Sequence, residues 1–349
     1  LISQLRSFKP DVVALNVYSF HRDQAIRTIK VIKKSGDYRV ICGGVHVRLK
    51  PMDLLDNSKA DHVCNGEGEV ALIRWLQTDY ADTPGIISRA GVRKLSLAAR
   101  PNINKLPNIK IALFDANNVL THGSWEIYFK TLGYARVYNT SFARGCINTC
   151  GGCCNKALTF LNNNVRIEQG YRLKTIDYLD DEISKVNQAH GIDLVYFWDE
   201  HLPALPYLEK ILKTVKHNGL SAVFSCAPHN LTEGQIKLLA RYGSPFVVII
   251  LLSADTAIRE KLALPLSLKD LQQKYTMLRE NGIKIISFVN VGLPGENWNN
   301  ALNNYNFCAS TSDFTKWVDY KPLPGAAWFE SLAKKIQQSP EEIFFIDDD

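Results

Sequence analysis

The sequence predicts an α/β chain with an N-terminal doubly wound, Rossmann-like domain followed by a partial (β/α)6 barrel. Apolar strand patterns alternate with amphipathic helix patterns in residues 1–81, and the alternation resumes over residues 136–330. Such alternation is typical of parallel sheets whose strands are joined by helical crossovers. Between these regions, residues 82–135 are rich in Pro, Asn and Gly, which is typical of a linker.

The first domain shows three strand and helix pairs. The predicted strands are DVVALNVYSF, RVICGGV and DHVCNGEGE, and the predicted helices are DQAIRTIKVIKKSGD, PMDLLDNS and EVALIRWLQ. The chain does not begin with Met and opens just before the first strand. We therefore expect this domain to be N-terminally incomplete.

The second domain shows six strand patterns, separated by helix patterns that close on or near a glycine. The predicted strands are ARVYNTSF, DLVYFWD, SAVFSC, PFVVIILLS, IKIISFVNVG and KWVDYKPL. Six β/α units, where a full barrel has eight, predict a partial barrel. Residues 331–349 would form a truncated C-terminal segment.

Composition excludes several classes of protein. Of the 349 residues, 46% are hydrophobic and 22% are charged, which is the balance of a globular chain. The net charge of +6 is spread along the sequence, so a nucleic-acid-binding surface is not expected. No apolar run approaches the ~18 residues of a membrane span, and no signal peptide is evident. We expect a cytoplasmic protein without a membrane partner.

Four of the eight cysteines crowd into CINTCGGCC, residues 146–154. Cys146, Cys150 and Cys153 have the spacing C-x3-C-x2-C and follow the first barrel strand, where barrel enzymes place their chemistry. A [4Fe–4S] electron carrier uses four cysteines, so three ligands would leave one iron open. Three alternatives remain: a zinc site with a distant fourth ligand, core cysteines that bind no metal, and Cys154 in place of Cys153.

Four ordered motifs, RGCINTCGGC, VYFWDEHL, NVGLPGENW and KPLPGAAWFE, resemble those of the radical S-adenosylmethionine (SAM) superfamily. The resemblance implies a [4Fe–4S] cluster on Cys146, Cys150 and Cys153. It also implies reductive cleavage of SAM to a 5′-deoxyadenosyl radical. The expected partners are a small-molecule or peptide substrate and an electron donor such as flavodoxin or ferredoxin.

The same resemblance implies a set of SAM contacts at the ends of three barrel strands. These residues are Asp199, Glu200, Ser253, Gly292, Pro294, Gly295 and Glu296. Carboxylates there can accept hydrogen bonds from an ammonium group, and glycines let the backbone approach a ligand closely. Asp199 and Glu200 could instead cap the following helix.

The first domain resembles the cobalamin-binding domain of one large class of this superfamily, through KPDVVALNVYSF, VICGGVHVRLKP and DHVCNGEGE. In a doubly wound sheet the ligand lies beyond the carboxyl ends of the strands. The implied cobalamin contacts are Gly43, Gly44, His46, Gly66, Glu67 and Gly68. The alternative for His46 is a loop residue whose hydrogen bonds are made within the protein.

The resemblance implies a cobalamin-dependent methyltransferase that moves a methyl group through cobalt to an unreactive carbon or phosphorus centre. One alternative is a cyclisation, oxidation or rearrangement by the same radical chemistry. Another is a non-catalytic iron–sulfur or zinc protein. Two departures from the family pattern support it, because Gly152 replaces an aromatic residue and Ser253 replaces a carboxylate.

Overall fold

A computed structural model of the chain describes residues 1–90, 96–113, 120, 126–160 and 171–336. The chain forms two compact units. The first unit combines Leu1–Lys105, Thr149–Ile167 and Lys321–Asp349, and the second combines Leu106–Asn148 and Glu168–Tyr320.

The first unit contains a four-stranded sheet with the order β1-β2-β3-β4. Its strands are β1 (Val12–Asn16), β2 (Arg39–Gly43), β3 (His62–Cys64) and β4 (Ile86–Ser88). The first three strands are parallel, as the sequence predicts, whereas β4 pairs antiparallel with β3. Strand β4 lies within the segment predicted as a linker, and the predicted domain boundaries stay a prediction.

Helices of the first unit follow the predicted helix patterns, with additions. They are α1 (Ile2–Phe8), α2 (Arg22–Ser35), α3 (Val45–Leu49), α4 (Asp53–Asn57), α5 (Gly68–Gln77), α7 (Asn155–Phe160) and α14 (Ala327–Ile336). Helices α1 and α3 were not expected from the sequence. The apolar residues Ile29 and Ile32 on α2 are fully buried in the core of this unit, together with Val40, Leu54 and Val63.

The second unit contains a six-stranded sheet with the order β5-β8-β9-β10-β11-β12. Its strands are β5 (Val137–Thr140), β8 (Leu194–Phe197), β9 (Ser221–Cys226), β10 (Phe246–Leu252), β11 (Lys284–Val291) and β12 (Phe314–Asp319). All neighbouring strands are parallel. The six predicted barrel strands are thereby confirmed, in chain order, as an open partial barrel.

Helices of the second unit connect these strands. They are α6 (Glu126–Thr131), α8 (Ile176–His190), α9 (Leu205–His217), α10 (Glu233–Arg241), α11 (Thr256–Lys261), α12 (Leu268–Glu280) and α13 (Trp298–Thr311). Their apolar faces cover the sheet, where the stacked rings of Phe197 and Phe224 lie 4.8 Å apart in the core. Within the described residues, no helix has the length and apolar character that a membrane crossing requires.

A short ribbon closes the base of the loop that carries the clustered cysteines. Strand β6 (Ala143–Arg144) pairs antiparallel with β7 (Arg172–Leu173). The pairing of β6 with β7 therefore fixes the backbone on both sides of the segment that carries the clustered cysteines.

Candidate functional site

The predicted SAM contacts lie at one edge of the six-stranded sheet. Asp199 and Glu200 follow β8, Ser253 follows β10, and residues 292–296 follow β11. Because the carboxyl ends of parallel strands share one edge, these residues lie on the face where barrel enzymes bind substrates.

Accessibility separates the three predicted cluster cysteines from the others. Cys146 and Cys150 are half-buried and Cys153 is exposed, whereas the remaining thiols are buried. The buried thiols are Cys42, Cys64, Cys154, Cys226 and Cys308. Only thiols that an incoming iron centre can reach are suitable ligands, so the donor set fits the predicted cluster.

Backbone amides support two of these three sulfur atoms. The N–H of Asn148 donates to Sγ of Cys146 at 3.4 Å, and the N–H of Asn155 donates to Sγ of Cys153 at 3.4 Å. Hydrogen bonds to sulfur stabilise the thiolate form that binds iron. The N–H of Cys153 also donates to the carbonyl of Cys150 at 3.1 Å, which holds residues 150–153 in a tight turn.

Cys154 competes with Cys153 as the third ligand in the sequence. The structure favours Cys153, because Cys154 is only 6% exposed and Cys153 is exposed. No three Cys, His, Asp or Glu side chains in the described part of the chain are grouped closely enough to hold a metal ion. The convergence of the three thiols on one cluster stays a prediction from their spacing.

Asp199 holds the backbone that leads into the cysteine loop. Its two carboxylate oxygens accept hydrogen bonds from the N–H of Phe142 at 2.8 Å and the N–H of Ala143 at 3.0 Å. Burial raises the pKa of Asp199 to about 6, even though these two hydrogen bonds act to lower it. The structure therefore gives Asp199 a clear role in supporting the loop. Its contact with SAM stays a prediction.

Glu200 differs from its neighbour in exposure. Its side chain is exposed at the sheet edge, while its carbonyl accepts the N–H of Ala227 at 2.9 Å and so ties the end of β8 to the end of β9. Of the two predicted carboxylates, that of Glu200 belongs to the more exposed residue, and desolvation by surrounding protein atoms raises the pKa of its carboxyl group. A carboxylate in this position can bind an ammonium group.

A buried ion pair that the sequence analysis did not single out lies beside the same loop. Glu182, 4% exposed, accepts hydrogen bonds from Tyr138 at 2.9 Å, from Thr140 at 2.5 Å and from Lys174 at 2.6 Å. Lys174 directly follows β7, and its N–H donates to the carbonyl of Phe142 at 2.8 Å. The only hint in the sequence is a charged residue on the apolar face of α8, between Leu179 and Ile183.

Ser253 and Glu296, two predicted SAM contacts, belong to one hydrogen-bonded network centred on Asn304 of α13. The amide oxygen of Asn304 accepts from the Ser253 hydroxyl at 3.0 Å and from the N–H of Ala254 at 2.6 Å. Its amide nitrogen donates to Glu296 at 3.0 Å. Asn304 and Ser253 are both fully buried. These contacts favour a structural role for Ser253, and its contact with SAM stays a prediction.

Glu296 closes the turn that follows β11. Its second carboxylate oxygen accepts from the N–H of Gly292 at 2.6 Å and of Leu293 at 3.1 Å. Gly292 and Gly295 both have φ of 82°, and a Cβ atom at Gly292 would meet no other atom within 4 Å. The side chain of Glu296 thus fixes the turn, which also contains Pro294, and the turn leaves open space beside Gly292.

Further polar groups at the ends of β8 and β9 were not singled out in the sequence. Burial lowers the pKa of His201 and of His229, which favours the neutral form of both rings. Within the described residues, Nδ1 of His201 and the hydroxyl of Tyr171 are buried without a hydrogen-bond partner. Buried polar groups of this kind are candidates to contact a ligand.

In the first unit, the predicted cobalamin contacts lie at the carboxyl ends of β2 and β3. Gly43 ends β2, and Gly44 has φ of 95° with so little room that a Cβ atom would lie 2.1 Å from the Asn16 side chain. At Gly66, with φ of 132°, a Cβ atom would lie 2.9 Å from Cβ of Ala98. Glu67 and Gly68 begin α5. The protein's own packing thus requires glycine at residues 44 and 66.

His46 is buried beneath this edge, with 1% exposure. Its Nε2 atom lies 2.9 Å from Asp53, and its Nδ1 atom lies 3.1 Å from the hydroxyl of Ser19. Asp53 is also held by two hydrogen bonds from Arg22, at 2.7 and 2.8 Å. With both ring nitrogens engaged, the structure favours the loop-residue alternative for His46. Its contact with cobalamin stays a prediction.

Two family models match the chain. A model described as "Radical SAM superfamily" matches residues 140–308, and one described as "B12 binding domain" matches residues 1–75. The matches cover the three motifs of the first domain and three of the four radical SAM motifs, in the same order, whereas KPLPGAAWFE at residues 321–330 lies outside them.

Two curated proteins are similar over nearly the whole chain. Cytidylyl-2-hydroxyethylphosphonate methyltransferase of Streptomyces wedmorensis is 21% identical, over 99% of this chain and 71% of that enzyme. Anaerobic magnesium-protoporphyrin IX monomethyl ester cyclase of Rubrivivax gelatinosus is also 21% identical, over 96% of this chain and 60% of that enzyme. The relatives therefore contain sequence that this chain does not span.

Among solved structures, the fold resembles the radical SAM methyltransferase TsrM of Kitasatospora setae. The structure of TsrM with cobalamin and a [4Fe–4S] cluster superposes with a TM-score of 0.66 at 18% identity, covering 95% of this chain and 67% of TsrM. A second TsrM structure, with tryptophan and a SAM analogue, gives the same TM-score at 17% identity. At these identities the likeness establishes a shared fold.

Proposed function

We propose that the chain is a cobalamin-dependent methyltransferase of the radical SAM superfamily, because the radical SAM model matches residues 140–308 and the B12-binding model matches residues 1–75 ahead of them. The observation that carries the proposal is this order of the two matches, together with the 21% identity to a methyltransferase over 99% of the chain. The acceptor would be an unreactive carbon or phosphorus centre.

Cys146, Cys150 and Cys153 would hold the [4Fe–4S] cluster, because they are the accessible thiols of the chain. When bound, the cluster supplies one electron to SAM and an open iron for its amino and carboxylate groups. Glu200, an exposed residue at the end of β8, would accept a hydrogen bond from the SAM ammonium. The open space beside Gly292 would let the adenosyl group lie along the backbone.

A further set of residues would act indirectly, by holding the loops that contact the cluster and SAM. Asp199 and the Lys174–Glu182 pair hold the entry and exit of the cysteine loop, and Asn304 holds the loops after β10 and β11 to each other. Such support fixes bound groups in place before reaction, which is how a protein lowers the cost of orienting them. At the first sheet, residues 43–44 and 66–68 would border the cobalamin.

Other partners follow from the same proposal. The substrate would be a small molecule or peptide bound near His201 and Tyr171, whose Nδ1 atom and hydroxyl group are buried without a partner among the described residues. TsrM was solved with tryptophan, which makes a small aromatic molecule a reasonable first substrate to test. A flavodoxin or ferredoxin in the cytoplasm would donate the electron.

A second candidate is a radical cyclisation, oxidation or rearrangement, which the similarity to the cyclase of Rubrivivax gelatinosus favours. A third is a non-catalytic iron–sulfur or zinc protein. The products of SAM separate the three, since only methyl transfer from SAM yields S-adenosylhomocysteine, whereas either enzyme yields 5′-deoxyadenosine.

The test is anaerobic reconstitution with iron and sulfide, followed by hydroxocobalamin, dithionite and SAM, with both products measured by mass spectrometry. We expect both products from the wild-type chain. Cys150→Ala should lose the brown colour and 5′-deoxyadenosine, whereas Cys154→Ala, the matched control, should keep both. Production of 5′-deoxyadenosine alone would favour the second candidate, and a cluster-bearing protein that forms neither product would favour the third.

A further inference from the structure

Trp328, on helix α14 of the first unit, covers the turn between two of the predicted cluster cysteines. The N–H of Trp328 donates to the carbonyl of Gly151 at 3.0 Å. The indole lies so close to Gly151 that a Cβ atom there would be 2.2 Å from Nε1 of the ring. Gly151 therefore provides the room in which the indole sits.

A second contact holds the same segments together. Gly325, with φ of 76°, approaches α7 so closely that a Cβ atom would lie 2.4 Å from Cβ of Ala157. Ala326 and Phe329, on either side of Trp328, are fully buried. Residues 325–329 are thus anchored on both sides of the indole, and Trp328 is held in place over the turn.

We propose that Trp328 is a positioning residue for the iron–sulfur cluster: its indole holds the turn of residues 150–153 and shields it from water and oxygen. The turn has two adjacent glycines, Gly151 and Gly152, and so has no side chains of its own between the thiols. A large rigid ring restrains such a turn at a low cost in conformational entropy. Apolar cover around an iron–sulfur centre controls solvent access to it. The inference rests on the proposed function, because it requires that Cys150 and Cys153 bind the cluster.

Three variants test this role. Trp328→Ala removes the ring, Trp328→Phe keeps an aromatic ring, and Gly151→Ala fills the space that the indole occupies. Trp298→Ala is the matched control, because Trp298 is 80% exposed on helix α13 of the other unit. Each protein is reconstituted anaerobically, and bound iron, visible absorbance and the rate of bleaching in air are measured.

We expect Trp328→Ala and Gly151→Ala to bleach about tenfold faster than the wild-type chain, and Trp328→Phe and the control to bleach at rates near that of wild type. The double variant Gly151→Ala/Trp328→Ala should bleach no faster than Trp328→Ala, since alanine then fits the space left by the ring. This non-additivity distinguishes a direct contact from general destabilisation. Circular dichroism confirms that the variants compared are folded.

Equal bleaching rates in wild type, Trp328→Ala and Gly151→Ala, all with full iron content, would overturn the role of Trp328 and leave the cluster assignment intact. Additive effects in the double variant would also overturn it. A folded wild-type chain that binds no iron would overturn the proposed function itself. If Trp328→Ala fails to fold, the role of Trp328 is tested by the bleaching rates of the other two variants. Equal rates in Gly151→Ala and Trp328→Phe would overturn it.

Discussion

Asp53 shows how a single side chain can decide the stability of the first unit. Its carboxylate accepts two hydrogen bonds from Arg22 and one from His46. Burial alone would raise the pKa of Asp53, but the hydrogen bonds from His46 and Arg22 outweigh burial and hold the pKa well below its usual range. The ionised form is therefore the one that stabilises the fold.

We expect Asp53→Asn to lower the free energy of unfolding by roughly 3 kcal/mol at pH 7, because it leaves the buried guanidinium of Arg22 without its main partner. The stabilisation by Asp53 is fully present above its unfolded pKa of about 4 and is lost as the pH falls toward the folded value. Urea denaturation at pH 7 and at lower pH measures both effects. The loss of stability below pH 4 should be smaller in Asp53→Asn than in wild type.

Asp37→Asn is the control, since Asp37 is an exposed carboxylate in the same unit. It should keep wild-type stability at pH 7 and the wild-type acid dependence. Equal stabilities of Asp53→Asn and wild type at pH 7 would show that the hydrogen bonds around Asp53 make no net contribution to the free energy of unfolding.

Individual residue roles were the least predictable feature of the sequence. His46 follows two glycines at a strand end, which suggests a ligand contact, but its partners are Ser19 and Asp53. Those partners lie 27 and 7 residues away along the chain. No local pattern encodes which side chains meet after folding, so hydrogen-bonded networks of this kind appear only in the structure.

Helix α13 links two loops at the scale of secondary structure elements. Asn304 accepts from residues after β10 and donates to Glu296 after β11, and its side chain is fully buried. The helix begins at Trp298, and its N-cap residue is Asn297, which directly follows Glu296 and whose side chain accepts the N–H of Asn300. The loop after β11 is therefore fixed at two points: at the carboxylate of Glu296, which Asn304 binds, and at Asn297, which caps α13.

We expect Asn304→Leu to raise the dissociation constant for SAM about tenfold, because the donors of Ser253 and Ala254 and an oxygen of Glu296 lose their partner. Bound iron should stay unchanged, because the cysteine loop lies on another strand. Equilibrium dialysis of the reconstituted protein with SAM measures the effect. Asn299→Ala, at an exposed position on the same helix, should bind SAM like wild type.

If Asn304→Leu bound SAM as tightly as wild type, the network would be a packing feature without influence on the ligand. Asn304→Asp adds a second measurement, since it keeps an acceptor for Ser253 but places two carboxylates side by side. We expect its affinity for SAM to improve as the pH falls toward 5.

Elements with strong periodicity were predictable and weaker ones were not. All six barrel strands were placed correctly, because each is a buried apolar run followed by a helix pattern. Helix α13 was implied only by the alternation of strands and helices, because WNNALNNYNFCAST is rich in Asn, which has low helix propensity. Helix α3 was missed because its five residues, VHVRL, include two valines and directly follow a strand.

At the scale of the whole molecule, the combination of two domains defines the chemistry. The sequence motifs identified the domain types and their order, and the family models confirm both. The substrate was not predictable, because specificity depends on the shape and polarity of a pocket, and neither domain type determines these. The unpartnered groups of His201 and Tyr171 became visible only in the structure.

The two domains should contribute separable activities to the whole chain. We expect omission of hydroxocobalamin to abolish S-adenosylhomocysteine while 5′-deoxyadenosine persists, because cluster and cobalamin would bind to different domains. Conversely, Cys150→Ala supplied with hydroxocobalamin should keep the corrin absorbance bands after gel filtration. Equal S-adenosylhomocysteine formation with and without cobalamin would contradict methyl transfer through cobalt.

The two-residue pairing of β6 with β7 has a consequence for how the protein matures. This ribbon closes the cysteine loop at its base, and the core of the partial barrel contains none of the three predicted ligands. We therefore expect the barrel to fold without the metal and to bind it afterwards. Iron supply in the cell would then limit how many molecules are active, without limiting how many are folded.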